Sequence, residues 1–209
     1  MNRNVTKRND LLSQQVIKGL EKRNMKGYYA ADREEALKIA LSLIEDGSSI
    51  SMGGSASVAE IGLVDALKSD KYNFIDREKF DDPREAAIAA YGADVFLASS
   101  NAMTLDGELV NIDGNANRVS CIAYGPKKVI FIVGMNKVCS DLDAAIKRAR
   151  NVAAPCNVQR FGLETPCAKT GKCFDCTSPD TICAQFLITR YSRHEDRIHV
   201  ILVNDNLGF

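Results

Sequence analysis

Apolar positions along this chain follow two rhythms, helical spacing and short unbroken runs, with Gly, Asp or Asn at the joints between them. That alternation predicts an α/β protein in which helices and buried strands follow one another. A first helix is expected over about 10–23 and a short strand over 27–31. Asp32 with Glu35 forms a capping box for a second helix, which Asp46-Gly47 ends. A strand over 48–52 runs directly into Gly53, Gly54 and Ser55. A second box, Ser57 with Glu60, is read as opening a helix over 58–68, whose Val58, Ile61, Val64 and Leu67 share one face.

Further along, 72–75 reads as a strand, and Asp82, Pro83 and Glu85 start a helix with proline in its first turn. The run ADVFLAS over 93–99 is the clearest buried strand. A hairpin is expected around Asp106-Gly107, a helix over 115–124, the strand KVIFIVG over 128–134 and a helix over 141–153. Two closing strands are expected over 186–191 and 199–204. With no repeat, low-complexity tract or long linker, residues 1–209 are read as one α/β domain carrying a basic N-terminal helix (about 10–23) and a cysteine-rich segment (156–183).

Charge narrows the partners. Lys+Arg 27 balance Asp+Glu 27, so the formal net charge is +0 and no basic footprint for nucleic acid is present. The basic residues of the first helix are read as a solvated face. No apolar run reaches the roughly 18 residues that span a bilayer. The first ten residues lack a secretory pattern and seven cysteines is an odd number, so a cytoplasmic location with reduced thiols is expected.

Three segments carry candidate chemistry. In the first, Gly53, Gly54 and Ser55 lie between a strand and a helix, where unpaired backbone N–H groups accept an anion and glycine permits its close approach; Ser57 and Glu60 stand in the same turn. The second holds Asn101, Thr104, Asp106, Asn111, Asp113, Asn117 and Arg118 within eighteen residues, beginning where ADVFLAS ends. Parallel strands would put this segment on the same sheet edge as the glycine loop. Asp106 or Asp113 would then serve as general acid or base, with the asparagines orienting a ligand; the competing role for both carboxylates is in turns. Asn136 and Lys137 follow the strand KVIFIVG and reach the same edge. The third segment is Cys167-x5-Cys173-x2-Cys176-x6-Cys183, four thiols in seventeen residues around a CxxC, which suits a zinc ion or an iron–sulfur cluster, with structural thiols as the alternative. Cys121, Cys139 and Cys156 read as small core residues.

Taken together, GGSASVAEIGL (53–63), ADVFLASSNAMTLDGELVNIDGNANRV (93–119), VGMNKV (133–138), AAPCN (153–157) and TPCAKTGKCFDC (165–176) resemble the lactate-utilisation (LUD) domain family. The likeness is to its LutC/YkgG-like members, and within them to a cysteine-tailed subset. It implies a Rossmann-like, mostly parallel sheet flanked by helices, similar to the sugar-phosphate isomerase and CoA-transferase (NagB/RpiA-like) group. It also implies a bacterial setting beside iron–sulfur subunits of a lactate oxidation system. The expected function is an accessory or regulatory subunit that binds a small anionic metabolite, with a homo-oligomer compatible. The alternative is an enzyme acting on a sugar-phosphate or acyl-CoA-like metabolite by general acid/base chemistry.

Overall fold

The computed structural model describes residues 2–209. Ten strands are found among them: β1 (Lys26–Ala30), β2 (Ser49–Met52), β3 (Asn73–Phe74), β4 (Val95–Ala98), β5 (Ala102–Thr104), β6 (Leu109–Asp113), β7 (Lys128–Gly134), β8 (Val138–Cys139), β9 (Gln185–Thr189) and β10 (Ile198–Val203). Six form a parallel sheet in the order β1-β10-β7-β4-β2-β3. The other four form a second, mixed sheet, β8-β5-β6-β9.

A parallel sheet is covered on both faces, so its inner strands are apolar at nearly every position. In β10 all six residues are buried, and in β4 all four. Their side chains alternate between two cores. Phe96, Ala98, Val129, Phe131, Val133, Val200 and Leu202 point to one core, which Val16 and Leu20 of α1 (Arg3–Lys22) also enter. Val95, Leu97, Ile130, Ile132, Ile201 and Val203 point to the other, against α2 (Arg33–Ser42), α3 (Ala56–Glu60) and α4 (Leu63–Ala66).

The remaining helices are α5 (Pro83–Tyr91), α6 (Asn117–Ala123), α7 (Leu142–Arg148), α8 (Ala154–Val158) and α9 (Pro166–Thr170). Between α7 and α8, Ala149–Ala153 make a π-helical turn. Pro155 follows it, and a proline without an N–H cannot continue the regular ladder, which suits a wider turn at that point. This helical run packs on the second sheet through Ala102, Val110, Ile112, Ala145, Ala149 and Ala154.

Four expectations from the sequence shift. The first helix begins at Arg3, with the Asn2 side chain accepting from the Asn4 N–H at 2.9 Å. Ser55, not Ser57, caps the helix after the glycine loop, and Gly62 at φ +78° breaks that helix into α3 and α4. Cys156 is exposed on α8 and is no core residue. The last strand does not close an edge: β10 inserts between β1 and β7.

Asn111 is fully buried, and neither its amide nitrogen nor its oxygen has a partner among the described residues. It points to the same side of β6 as Leu109, into the first core. An unpaired buried polar group costs about 1–3 kcal/mol, so Asn111→Leu, which keeps the branched shape, is expected to raise unfolding free energy by about 1 kcal/mol in urea titrations. A loss of stability would show that the amide is in fact satisfied.

Candidate functional site

Strands β2, β4 and β7 are neighbours and all run the same way, so the loops at their carboxyl ends meet at one edge of the sheet. These loops are Gly53–Ser55, Ser99–Asn101 and Asn136–Lys137. The start of α6 adds Arg118, and the chain beyond α8 adds Asn157 and Arg160. Two connected hollows result. A small pocket of about 60 Å³ is lined by Gly54, Ser55, Ser57, Ser99, Asn101, Arg118, Lys137, Asn157 and Arg160. Gly54, Asn101, Arg118, Asn157 and Arg160 also line a wider cleft of about 550 Å³, together with Gly53, Arg77, Asp113 and Asn117.

Lys137 forms the floor of the small pocket. Its ammonium is buried, the residue being 3% exposed, and it donates to Ser57 Oγ at 2.9 Å and Ser99 Oγ at 3.0 Å. No carboxylate among the described residues stands in ion-pair contact with it. Burial pushes its pKa down from 10.5 to about 7; nearby Arg148 and Arg118 act in the same direction and Glu60 in the other.

The arginines are fixed by main-chain oxygens. Arg118 Nη2 donates to the Ile112 carbonyl at 2.6 Å and to Asn101 Oδ1 at 3.0 Å, and its Nε lies 3.7 Å from Asp113. Burial pushes the Arg118 guanidinium down, and Asp113 partly offsets this. Arg160 Nη1 donates to the Gly54 carbonyl at 3.0 Å and to Asn157 Oδ1 at 3.3 Å. A Cβ on Gly53 would stand 3.1 Å from the Arg118 side chain, and one on Gly54 would stand 3.4 Å from the Arg77 guanidinium. The glycines therefore let three arginines, Arg77, Arg118 and Arg160, crowd one loop.

The structure brings together Gly53, Gly54, Ser55, Ser57, Asn101, Asn117, Arg118 and Lys137 of the residues read from sequence. It leaves others outside. Asp106 sits at the tip of the β5–β6 hairpin against α1, where its carbonyl accepts from Arg23 Nε at 2.6 Å. Thr104 is buried in that hairpin and holds the Glu108 N–H at 3.0 Å. Asn111 lies in the core, as described above. Asn136 ties down the C-terminal segment through Leu207, and Glu60 does so through the Gly208 N–H at 3.0 Å.

Asp113 reaches the cleft but caps α6, accepting from the N–H groups of Asn115, Arg118 and Val119. Ser99, Ser100, Arg77, Asn157 and Arg160 were not read as site residues from the sequence. Only the serines carried a signal, standing where a buried strand leaves the sheet; an isolated arginine 100 residues away does not announce its target.

The four cysteines are unpaired and partly buried in a stretch whose other side chains mostly face solvent. Cys183 packs beside the π turn, and Arg150 on that turn lies 3.7 Å from Cys173 Sγ and 2.5 Å from Asp175. Burial, and then the charges of Cys167, Cys173 and Cys176, raise the Cys183 thiol to about 11. Among the described residues no three His, Cys, Asp or Glu side chains are grouped so as to hold a metal ion. His199 is occupied elsewhere, stacked on Tyr28 with its ring nitrogens at the Tyr28 hydroxyl and the Asp196 carbonyl.

A doubly covered parallel sheet with a cation-lined crevice at its carboxyl edge defines a Rossmann-like α/β protein. The chain belongs to the LUD domain family, whose model matches residues 13–203. Among solved structures it is similar to a DUF162 family protein from Deinococcus radiodurans, at 14% identity with a TM-score of 0.56, covering 93% of this chain and 98% of that one. At that identity the likeness speaks for the fold. No curated protein matches the chain. Among the described residues, no helix is long and apolar enough to cross a membrane.

The buried amine makes stability depend on pH in a definite sense. Its pKa is lower folded than unfolded, so the unfolded chain binds more protons between about 7 and 10.5 and this group's contribution grows as pH rises through that window. Urea unfolding of the wild type and of Lys137→Met is expected to show their stability difference flat below pH 7 and moving in favour of the wild type up to about pH 10. A pH-independent difference would mean that the amine is hydrated in the fold.

Proposed function

We propose that the protein binds a small anionic metabolite in the crevice between Gly53, Ser99, Arg118, Lys137 and Arg160, as an accessory or regulatory subunit linked to lactate (2-hydroxy acid) utilisation. The observation that carries the binding reading is a charge imbalance: Arg77, Arg118, Lys137 and Arg160 meet there, and among the described residues Asp113 is the one acidic side chain lining the cleft with them. A carboxylate or phosphate with exposed oxygens supplies the missing charge and accepts the fork geometry of two guanidinium groups. Membership of the LUD domain family supports the metabolic setting. No observation favours Asp106 or Asp113 as the acid/base of a sugar-phosphate or acyl-CoA enzyme, since one is distant and the other caps a helix.

A thermal-shift series of small mono- and dicarboxylates and inorganic phosphate tests this, because a ligand at about 100 times its Kd adds roughly 2.7 kcal/mol. Arg160→Ala is expected to weaken binding about tenfold or more, as losing one charge-assisted contact costs about 1.5–3 kcal/mol. Gly53→Val, which displaces Arg118, is expected to abolish it while circular dichroism stays unchanged. Affinity is expected to fall as pH rises through about 7, where Lys137 loses its charge and the arginines keep theirs. Binding indifferent to all three changes would remove the crevice from the function.

We propose also that Cys167, Cys173, Cys176 and Cys183 hold an iron–sulfur cluster. The support is their count and their half-burial in a stretch of few inward side chains, where a ligated cluster would replace a core. The CxxC at the centre of the four supplies thiolate ligands of the kind an iron–sulfur cluster takes. Anaerobic reconstitution is expected to give a brown protein with iron and acid-labile sulfide in equal amounts, lost in Cys173→Ser. One zinc per chain, or no metal, would refute it.

A further inference from the structure

The floor of the crevice offers more than a positive charge. Lys137 Nζ is held between two hydroxyls, Ser57 from the first turn of α3 and Ser99 from the end of β4, and among the described residues no carboxylate is in ion-pair contact with it. Arg118 and Arg160 line the same small pocket, which has room for a compound of few heavy atoms. An acid whose carboxylate lies against the guanidinium groups would turn its neighbouring carbon toward the amine. We propose that Lys137 is a nucleophile that forms an imine with the carbonyl carbon of a small oxo acid bound in this pocket. The proposal rests on the anion-binding reading above and goes on from it to a covalent step.

The step balances without a further reactant. The nitrogen lone pair attacks the carbonyl carbon, the C=O π pair moves to oxygen, and a proton passes from nitrogen to that oxygen through the Ser57 or Ser99 hydroxyl. The carbinolamine then takes up one proton and releases one water, leaving a protonated imine. Its positive charge sits where the ammonium was, between the same two serine oxygens.

The neutral amine needed for the attack follows from the surroundings. The charged groups facing Lys137 are Arg148 from α7, Arg118 from α6, Arg160 beyond α8 and Glu60 from α3. Burial first, then Arg148 and Arg118 against the opposing charge of Glu60, hold the amine near the neutral form at about pH 7, where an ordinary lysine is almost wholly charged. Gly208 packs close on the far side: a Cβ there would come within 2.8 Å of Ser57 Oγ and 3.3 Å of Lys137 Nζ. The pocket that remains open beside Lys137 is lined by Arg118 and Arg160.

The test uses the full chain with glyoxylate, the smallest oxo acid, and sodium cyanoborohydride, which reduces an imine to a stable secondary amine. Peptide mapping by mass spectrometry is expected to place the adduct on Lys137. At pH 8 it is expected to form on the order of a hundredfold or more faster than on surface lysines, given the difference in neutral fraction. Oxalate, an acid of similar size without an electrophilic carbonyl, should protect Lys137, and Lys137→Arg should lose the fast adduct. Thermal shift with oxalate reports anion binding separately. Stabilisation by oxalate with Lys137 unlabelled, or labelled no faster than other lysines, would overturn the nucleophile and leave the binding site standing. Neither stabilisation nor labelling would overturn both. The wild-type map decides the matter even if the variant folds poorly.

Discussion

Burying an ammonium group forfeits hydration worth several kcal/mol, and a fold that does so must hold the group's partners firmly in place. In this protein the burden falls on Lys137. Its two oxygen partners arrive from different parts of the chain, Ser57 eighty positions before it and Ser99 thirty-eight before it. They meet because β2, β4 and β7 are adjacent and parallel, so three loops far apart in sequence end within side-chain reach. The geometry of the crevice depends on that one meeting point.

Guanidinium groups extend the same logic outward. Arg148 donates to the carbonyls of Asn101 at 2.6 Å and Asn136 at 3.1 Å, joining the loops after β4 and β7. Arg118 clasps Ile112 and Asn101, joining the second sheet to the first. At the opposite, amino edge of the sheet, Arg197 just before β10 binds four carbonyls between Cys121 and Pro126 and so anchors the end of α6. Arg148 uses main-chain oxygens as partners, which satisfies its donors without cancelling its positive charge, whereas Arg118 also lies 3.7 Å from Asp113. An edge stitched by cations to carbonyls stays electropositive, and that is the property a bound anion would exploit.

The second sheet shapes the site without lining much of it. Its strands β5 and β6 carry the polar segment from Asn101 to Asp113 out and back, returning Asp113 and Arg118 to the cleft while leaving Asp106 at the distant tip. Gly19 of α1 lies so close to Asp106 that a Cβ would meet its backbone at 2.5 Å, which pins the hairpin to that helix. The cysteine segment abuts the cleft too, for Ile182 lines it next to Cys183.

By itself the sequence determined the alternation of elements, because near-continuous apolar runs such as KVIFIVG are stable only as strands covered on both faces. It determined the glycine loop and its convergence with Asn101 and Arg118, since parallel strands put their carboxyl ends on one edge. It announced the Asp32 and Asp82 caps through local chemistry that needs no tertiary partner. Tertiary structure alone decided the rest. That Ser57 faces a lysine rather than capping its helix, that Asn111 is buried and unpaired, and that Arg160 reaches back to Gly54 are outcomes of packing between residues tens of positions apart. Strand order was decided there as well: the apolar pattern of β10 says that it is buried, but only the competition for neighbours places it between β1 and β7. Periodicity encodes which side of an element meets the core; it holds no record of which distant side chain waits on the other side.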